Sequence, residues 1–288
     1  MGRSNALAGT ARNRTNARAQ SRQPELFNLD VERQAKRLSR QQKKLEKTTG
    51  LSNITDLNNP FTQRVIKLQD IGRIEPLTDT QFNFFQSWEN QDADGYVLYG
   101  SAGTGKTFIA LYHALLAVLE PDSLYEKIII VRSSVQTRDQ GFLPGSLEEK
   151  MAPFEAPYDG ILYDLTNKKG AYDKLKDMGK IEFCSTSFLR GSTFHDCIVI
   201  VDEMQNGTFG ECHTIVTRMG KNSKLIVCGD GAQNDLTKSK HDVSGFREFV
   251  EVSRKMPEFR NFRFTSDDIC RSEFVKSWII TCEKLGLT

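Results

Sequence analysis

Short apolar runs recur along the chain from residue 96 on, at 96–99 (YVLY), 127–131 (KIIIV), 181–184 (IEFC), 197–201 (CIVIV) and 224–228 (KLIVC). Runs this short and β-branched, with little polar alternation, predict strands buried on both faces of a parallel sheet. Between them the apolar spacing becomes helical, at 106–119, around 146–166, around 208–219 and at 242–254. Upstream, TDTQFNFFQSWEN predicts a capped helix whose stripe of Phe82, Phe85 and Trp88 is expected to face the core. Strands alternating with helices predict an α/β fold, a doubly wound parallel sheet with helices on both faces.

The first quarter reads differently. Residues 1–28 form a basic tail poor in large apolar groups, expected to be disordered because it buries too little surface to offset ordering entropy. Residues 29–75 read as an arm, helical over 29–47 and less patterned from 50 on; the core is expected over 76–288. Charge sharpens this division. The chain carries +2 overall, but residues 1–49 hold twelve Lys/Arg and four Asp/Glu, so the tail carries +8 and the remainder −6. A basic arm of this kind suits phosphate backbones, or serves as a solubilising tail.

Composition excludes several classes. No apolar run approaches the ~20 residues that cross a bilayer, and the N-terminus lacks the apolar segment of a secretory signal. A cytoplasmic protein is expected. The six cysteines (184, 197, 212, 228, 270 and 282) form no C-x-x-C pair, and the four histidines lack ligand spacing. Buried free thiols are expected, with no zinc site.

Four stretches carry candidate chemistry. GSAGTGKT, comprising Gly100, Ser101, Ala102, Gly103, Thr104, Gly105, Lys106 and Thr107, fits G-x-x-x-x-G-K-[ST] at every fixed position. It follows a predicted strand and opens a predicted helix, the context that motif needs to cradle a nucleoside triphosphate. Backbone N–H groups and the helix N-terminus would face the phosphates. Lys106 would reach the β/γ-phosphates, and the Thr107 hydroxyl would ligate Mg²⁺. CIVIVDEMQN ends an apolar strand in Asp202 and Glu203. On a strand adjacent to the P-loop strand, Asp202 would join the magnesium shell and Glu203 would orient and deprotonate the attacking water. KLIVCGDGAQ places Gln233 beyond a third strand end, where it could sense the γ-phosphate; Gln205 could do the same or relay to a polymer-binding face. Arg271, in DDICRSEF, is a candidate arginine finger or a surface ion-pair arginine.

Together with VRSSVQTRDQGFLPGSLEEKMAPFEAPYDGIL and FLRGSTFHDCIVIVDEMQN, these stretches resemble the successive signatures of the PhoH-like ATPases over about residues 76–288. The resemblance implies a RecA-like core related to superfamily 1 helicases, hydrolysis of ATP with Mg²⁺, and in some members a likeness to RNA-unwinding enzymes. It implies catalytic roles for Lys106, Glu203, Gln233 and Arg271, and an adenine contact for Gln81. Arg132, Arg190 and Thr193 fall in blocks that would face nucleic acid. The chain departs from the family pattern at Ser134, where proline is usual, and at Gly231-Ala232, where Pro-Thr is common. Neither change removes a catalytic group.

A superfamily 1 helicase clamps ATP between two such domains, whereas one P-loop and one Asp-Glu strand occur here. The expectation is therefore a homo-oligomer, a ring such as a hexamer, with Arg271 completing a neighbour's site and single-stranded RNA or DNA as partner. The alternative is a nucleotide-switched regulatory or scaffold ATPase acting on a protein partner. A small-molecule kinase fits less well, because no Arg-rich lid segment lies between the two motifs.

Overall fold

The computed structural model describes residues 65–133, 147–186, 189, 193–230 and 245–287. The predicted helix at 29–47, the GFLPG block, Arg190 and Gln233 lie outside the described residues.

Six strands form one sheet in which every pairing is parallel: β1 (Gly95–Gly100), β2 (Lys127–Arg132), β3 (Ile181–Ser185), β4 (Cys197–Asp202), β5 (Ser223–Gly229) and β6 (Phe259–Phe264). Their order is β3-β2-β4-β5-β1-β6. The helices are α1 (Asp79–Glu89), α2 (Lys106–Leu119), α3 (Leu147–Thr166), α4 (Ala171–Asp177), α5 (Phe209–Val216), α6 (Phe246–Ser253) and α7 (Glu273–Leu285).

The unbroken apolar runs have a direct structural cause, since successive strand side chains point to opposite faces. On one face Tyr96, Leu98, Ile128, Ile130, Ile198, Ile200, Ile226 and Cys228 meet residues of α1 to α4. On the other, Val97, Ile129, Val131, Val199, Val201, Leu225 and Val227 meet α5 and α6. A strand covered on both faces leaves few positions for a polar residue; Lys224, near the start of β5, is buried with its Nζ donating to Ala93 O at 2.8 Å. The first core is aromatic around α1: Phe84 is fully buried and makes edge contacts with Phe85, Tyr96 and His113. Full burial of such a side chain contributes roughly 2–3 kcal/mol. The expected stripe of α1 is shifted, because Phe82 is half exposed and Phe84 takes the central place.

Residues upstream of 76 also pack onto this core. Ile66 is buried, the Gly72 N–H donates to Leu165 O at 2.8 Å, and the Ile74 N–H donates to the Tyr112 hydroxyl at 3.3 Å. Apart from one short helical turn (Leu68–Asp70) that segment has no regular structure and docks by isolated apolar residues, so it leaves no periodic signal. Strand β6 (FRNFRF) went unpredicted because it lies at the sheet edge, is half buried and carries two arginines. It nonetheless pairs with β1 along its whole length. Finally, the Asp202 strand is not adjacent to the P-loop strand: β5 lies between β4 and β1.

Helix α7 buries no residue; Phe274 is 79% exposed and Trp278 66%. Among the described residues, no helix is long and apolar enough to cross a membrane.

Candidate active site

The loop between β1 and α2 is shaped by its glycines. Gly100 has φ 122°, and a Cβ there would collide with the Phe264 carbonyl, which accepts from the Ser101 N–H at 3.2 Å. Only glycine meets both demands. Gly105, at φ 80°, stands at the N-cap of α2 and supplies no side-chain cap. The first-turn N–H groups of a fourteen-residue helix thus remain available to an anion. Lys106 folds over the loop, its Nζ donating to Gly100 O at 2.8 Å and Ser101 O at 2.7 Å. Burial lowers the Lys106 pKa, opposed mainly by the charge of Asp230 and also by Glu203 and Asp202.

Although β5 intervenes, Thr107 and Asp202 meet. The Thr107 hydroxyl donates to Asp202 Oδ1 at 2.8 Å, because α2 packs across β5 and reaches β4. Asp202 Oδ2 accepts from the Tyr158 hydroxyl at 2.9 Å. Burial first, and then the Asp202 charge, push the tyrosine pKa well above its usual value, so the phenol stays a donor.

Glu203 follows with φ 54° and ψ 39°, in the left-handed region that non-glycine residues rarely occupy. Strain of this kind persists where surrounding structure enforces it. Here the turn Met204–Asn206 is buried, and Ser133 Oγ donates to Asn206 O at 3.1 Å. Gln205 then does two things: its Nε2 donates to Glu203 Oε2 at 2.7 Å, and its Oε1 accepts from the Asp230 N–H at 2.9 Å. Burial raises the Glu203 pKa, followed by the charge of Asp202; Arg132, Gln205 and Lys106 act in the opposite direction.

These groups line one open cleft of about 390 Å³, walled by Ala102, Gly103, Thr104 and Gly105 of the loop and by Pro157, Tyr158 and Ile161 of α3. Arg271 lines the same cleft of its own chain, and a Cβ on Gly103 would lie 3.1 Å from Arg271 Cγ. Arg132 also lines it; its guanidinium lies 5.9 Å from the Phe154 ring, and Nη1 donates to Phe154 O at 3.5 Å. Gln81 is buried beside the loop. Its Oε1 accepts from the Leu77 N–H at 2.8 Å, and Nε2 donates to Thr104 O at 3.0 Å and Cys270 Sγ at 3.5 Å. Nearby, burial tends to raise the Asp268 pKa, but hydrogen bonds from Thr265, Thr78 and Thr80 outweigh it and hold the carboxyl below its usual value. Thr193 is exposed. Sequence reasoning did not single out Tyr158 or Asp230, which come into the cleft from α3 and the end of β5.

Among the described residues, no group of three or more His, Cys, Asp or Glu side chains could hold a metal alone. Thr107 and Asp202 instead offer one hydroxyl and one carboxylate, both hard oxygen donors. That set fits magnesium, which is usually held by one or two carboxylates together with phosphate oxygens and water.

Loop, sheet order and paired carboxylates define a P-loop core of the RecA-like α/β type. The chain belongs to the PhoH family, whose model, described as PhoH-like protein, matches residues 73–283. Protein PhoH of Escherichia coli K12 is 30% identical over 250 residues, covering 85% of this chain and 69% of that protein. The PhoH-like protein of Mycobacterium tuberculosis H37Rv is 34% identical over 177 residues, covering 61% and 49%. The match thus spans about half the length of the mycobacterial relatives. Similar solved structures include the large terminase of a thermophilic bacteriophage in complex with ADP (TM-score 0.40, 15% identity, 70% of this chain and 49% of that one). Pif1 helicase from Candida albicans has a TM-score of 0.34 at 15% identity, over 74% and 44%.

Proposed function

We propose that the chain binds ATP as its magnesium complex in the P-loop cleft and hydrolyses it, coupling turnover to single-stranded nucleic acid. The observation that carries the reading is the convergence of Lys106, Thr107, Asp202 and Glu203 on one cleft at the carboxyl ends of the strands. Lys106 exchanges its loop carbonyls for the β/γ-phosphates, while the α2 N-terminus receives phosphate oxygens. Thr107 and Asp202 would hold magnesium, whose charge offsets that of the phosphates. Glu203, oriented by Gln205, takes the proton of the attacking water. Arg271 offsets charge developing on the γ-phosphoryl group; its place in the same chain's cleft supports action in cis.

The basic segment 1–49 supports the coupling to nucleic acid, as does membership of the family. The second reading, a nucleotide switch acting on a protein partner, is favoured by the net −6 carried by the rest of the chain. ATP turnover with and without single-stranded RNA and DNA, at low and moderate salt, separates the two. Stimulation that declines with salt is expected; turnover indifferent to every polymer leaves the switch.

A further inference from the structure

The block APYDGIL is part of the family resemblance, yet none of the roles above required it. Its Tyr158 is 1% exposed, so its hydroxyl has no solvent to bond. It donates to Asp202 Oδ2, while Thr107 donates to Oδ1 of the same carboxylate. Each oxygen is therefore pinned from a different element, Oδ1 from the start of α2 and Oδ2 from α3. A carboxylate pinned on one oxygen can still swing about its Cβ–Cγ bond; pinned on both, its plane is set.

Helix α3 holds this contact through one face. Phe154 and Tyr158 stand four residues apart, and side chains at that spacing share a face. Phe154 is held by Arg132, Tyr158 by Asp202, and Ile161 continues the same wall into the cleft. Pro153 and Pro157, both inside the helix and Pro157 directly before Tyr158, have no N–H to give to the carbonyl one turn back. The helix thus lacks two of its own hydrogen bonds on the stretch that leads to Asp202, and side-chain contacts help to set its position there.

We propose that Tyr158 is a positioning residue for the metal side of the cleft, fixing the Asp202 carboxylate so that Oδ1 and the Thr107 hydroxyl face one magnesium position together. The inference rests on the reading of Thr107 and Asp202 as the magnesium-facing pair. Partners that orient a metal's ligands typically contribute 10–100-fold in metal affinity or activity. A buried tyrosine that merely fills space would contribute to stability and leave metal affinity untouched.

Tyr158→Phe keeps the ring, which packs 5.9 Å from Phe183, and removes only the hydroxyl. Phe183→Leu disturbs the same packing without touching Asp202. The measurement is binding of a fluorescent non-hydrolysable ATP analogue, titrated with Mg²⁺, alongside the thermal midpoint of each protein. For Tyr158→Phe, analogue affinity without metal should match wild type, and the Mg²⁺ concentration giving half the metal-dependent gain should rise about tenfold or more. Phe183→Leu should lower the thermal midpoint and leave that concentration unchanged. A Mg²⁺ dependence within twofold of wild type in Tyr158→Phe overturns the proposal alone, as does an equal shift in Phe183→Leu. A wild-type chain whose analogue binding ignores Mg²⁺ overturns the magnesium-ATP reading as well.

Discussion

Gln205 Nε2 and Glu203 Oε2 lie 2.7 Å apart, and the same Gln205 amide accepts the Asp230 N–H through its other end. One side chain therefore ties the candidate base to the end of the neighbouring strand. With the backbone of Glu203 in the left-handed region, its carboxylate is placed by the turn and by this amide together. Glu203→Gln should bind nucleotide with wild-type affinity and lose about 10²–10⁴-fold in turnover, the usual contribution of a positioned base. Gln205→Leu should lose about 10²-fold, through misplacement of that base. Single-turnover hydrolysis beside fluorescent-nucleotide binding checks both. Near-normal hydrolysis by Glu203→Gln would assign the base role elsewhere.

Arg271 faces the cleft of its own chain. Arg271→Ala should reduce turnover by about 10³-fold or more if it acts as a finger. Mixtures of Arg271→Ala with Lys106→Ala should then recover nothing, since neither chain holds a complete site. Recovered activity in mixed samples would move Arg271 into a neighbour's site.

His113 lies in a box of rings, 4.3 Å from Phe85 and 5.3 Å from Phe84 between centroids, and its Nε2 has no hydrogen-bond partner among the described residues. Burial pushes its pKa down from 6.5 to about 4. The unfolded chain therefore binds the proton more readily, and stability present above pH 6.5 is lost as pH falls toward 4. Between pH 7.5 and pH 5 the loss is about 2 kcal/mol. Urea unfolding at the two pH values should show this loss in wild type and much less of it in His113→Phe. Parallel losses in both proteins would place the acid sensitivity in another group.

Helix α7 buries no residue, and its largest apolar side chains, Phe274 and Trp278, face outward. Phe274→Ala and Trp278→Ala should each change unfolding free energy by less than about 0.5 kcal/mol, as surface substitutions do. A loss above about 1 kcal/mol in chemical denaturation would mean that these side chains are covered in solution.

Much of this protein was legible because its signals are local. The P-loop is eight consecutive residues, and CIVIV announces a buried strand that must end in Asp202 and Glu203 at the sheet's carboxyl edge. The four central strands were readable because burial on both faces leaves unbroken apolar runs, and the edge strand β3 was readable because IEFC keeps its apolar residues with a single charge. Strand β6 was not, since an edge strand can keep Arg260 and Arg263 beside its phenylalanines. Phe82 misled for a related reason. Helical spacing allowed either Phe82 or Phe84 to face inward, and packing against Tyr96 and His113 selected Phe84. Tyr158 left no signal either, because an aromatic residue within an apolar helix reads as core.

The sequence by itself determined the element types, the glycine-rich loop between strand and helix, and the pair of carboxylates at a strand end, since periodicity and backbone conformation act over a few residues. Tertiary structure alone decided which strand lies beside which, and so inserted β5 between the two motif strands. It also decided that Thr107, Tyr158 and Gln205 would be the groups holding Asp202 and Glu203. Thr107 and Tyr158 stand 95 and 44 residues from Asp202. Contacts at such separations depend on how helices cross the sheet, which no local pattern records.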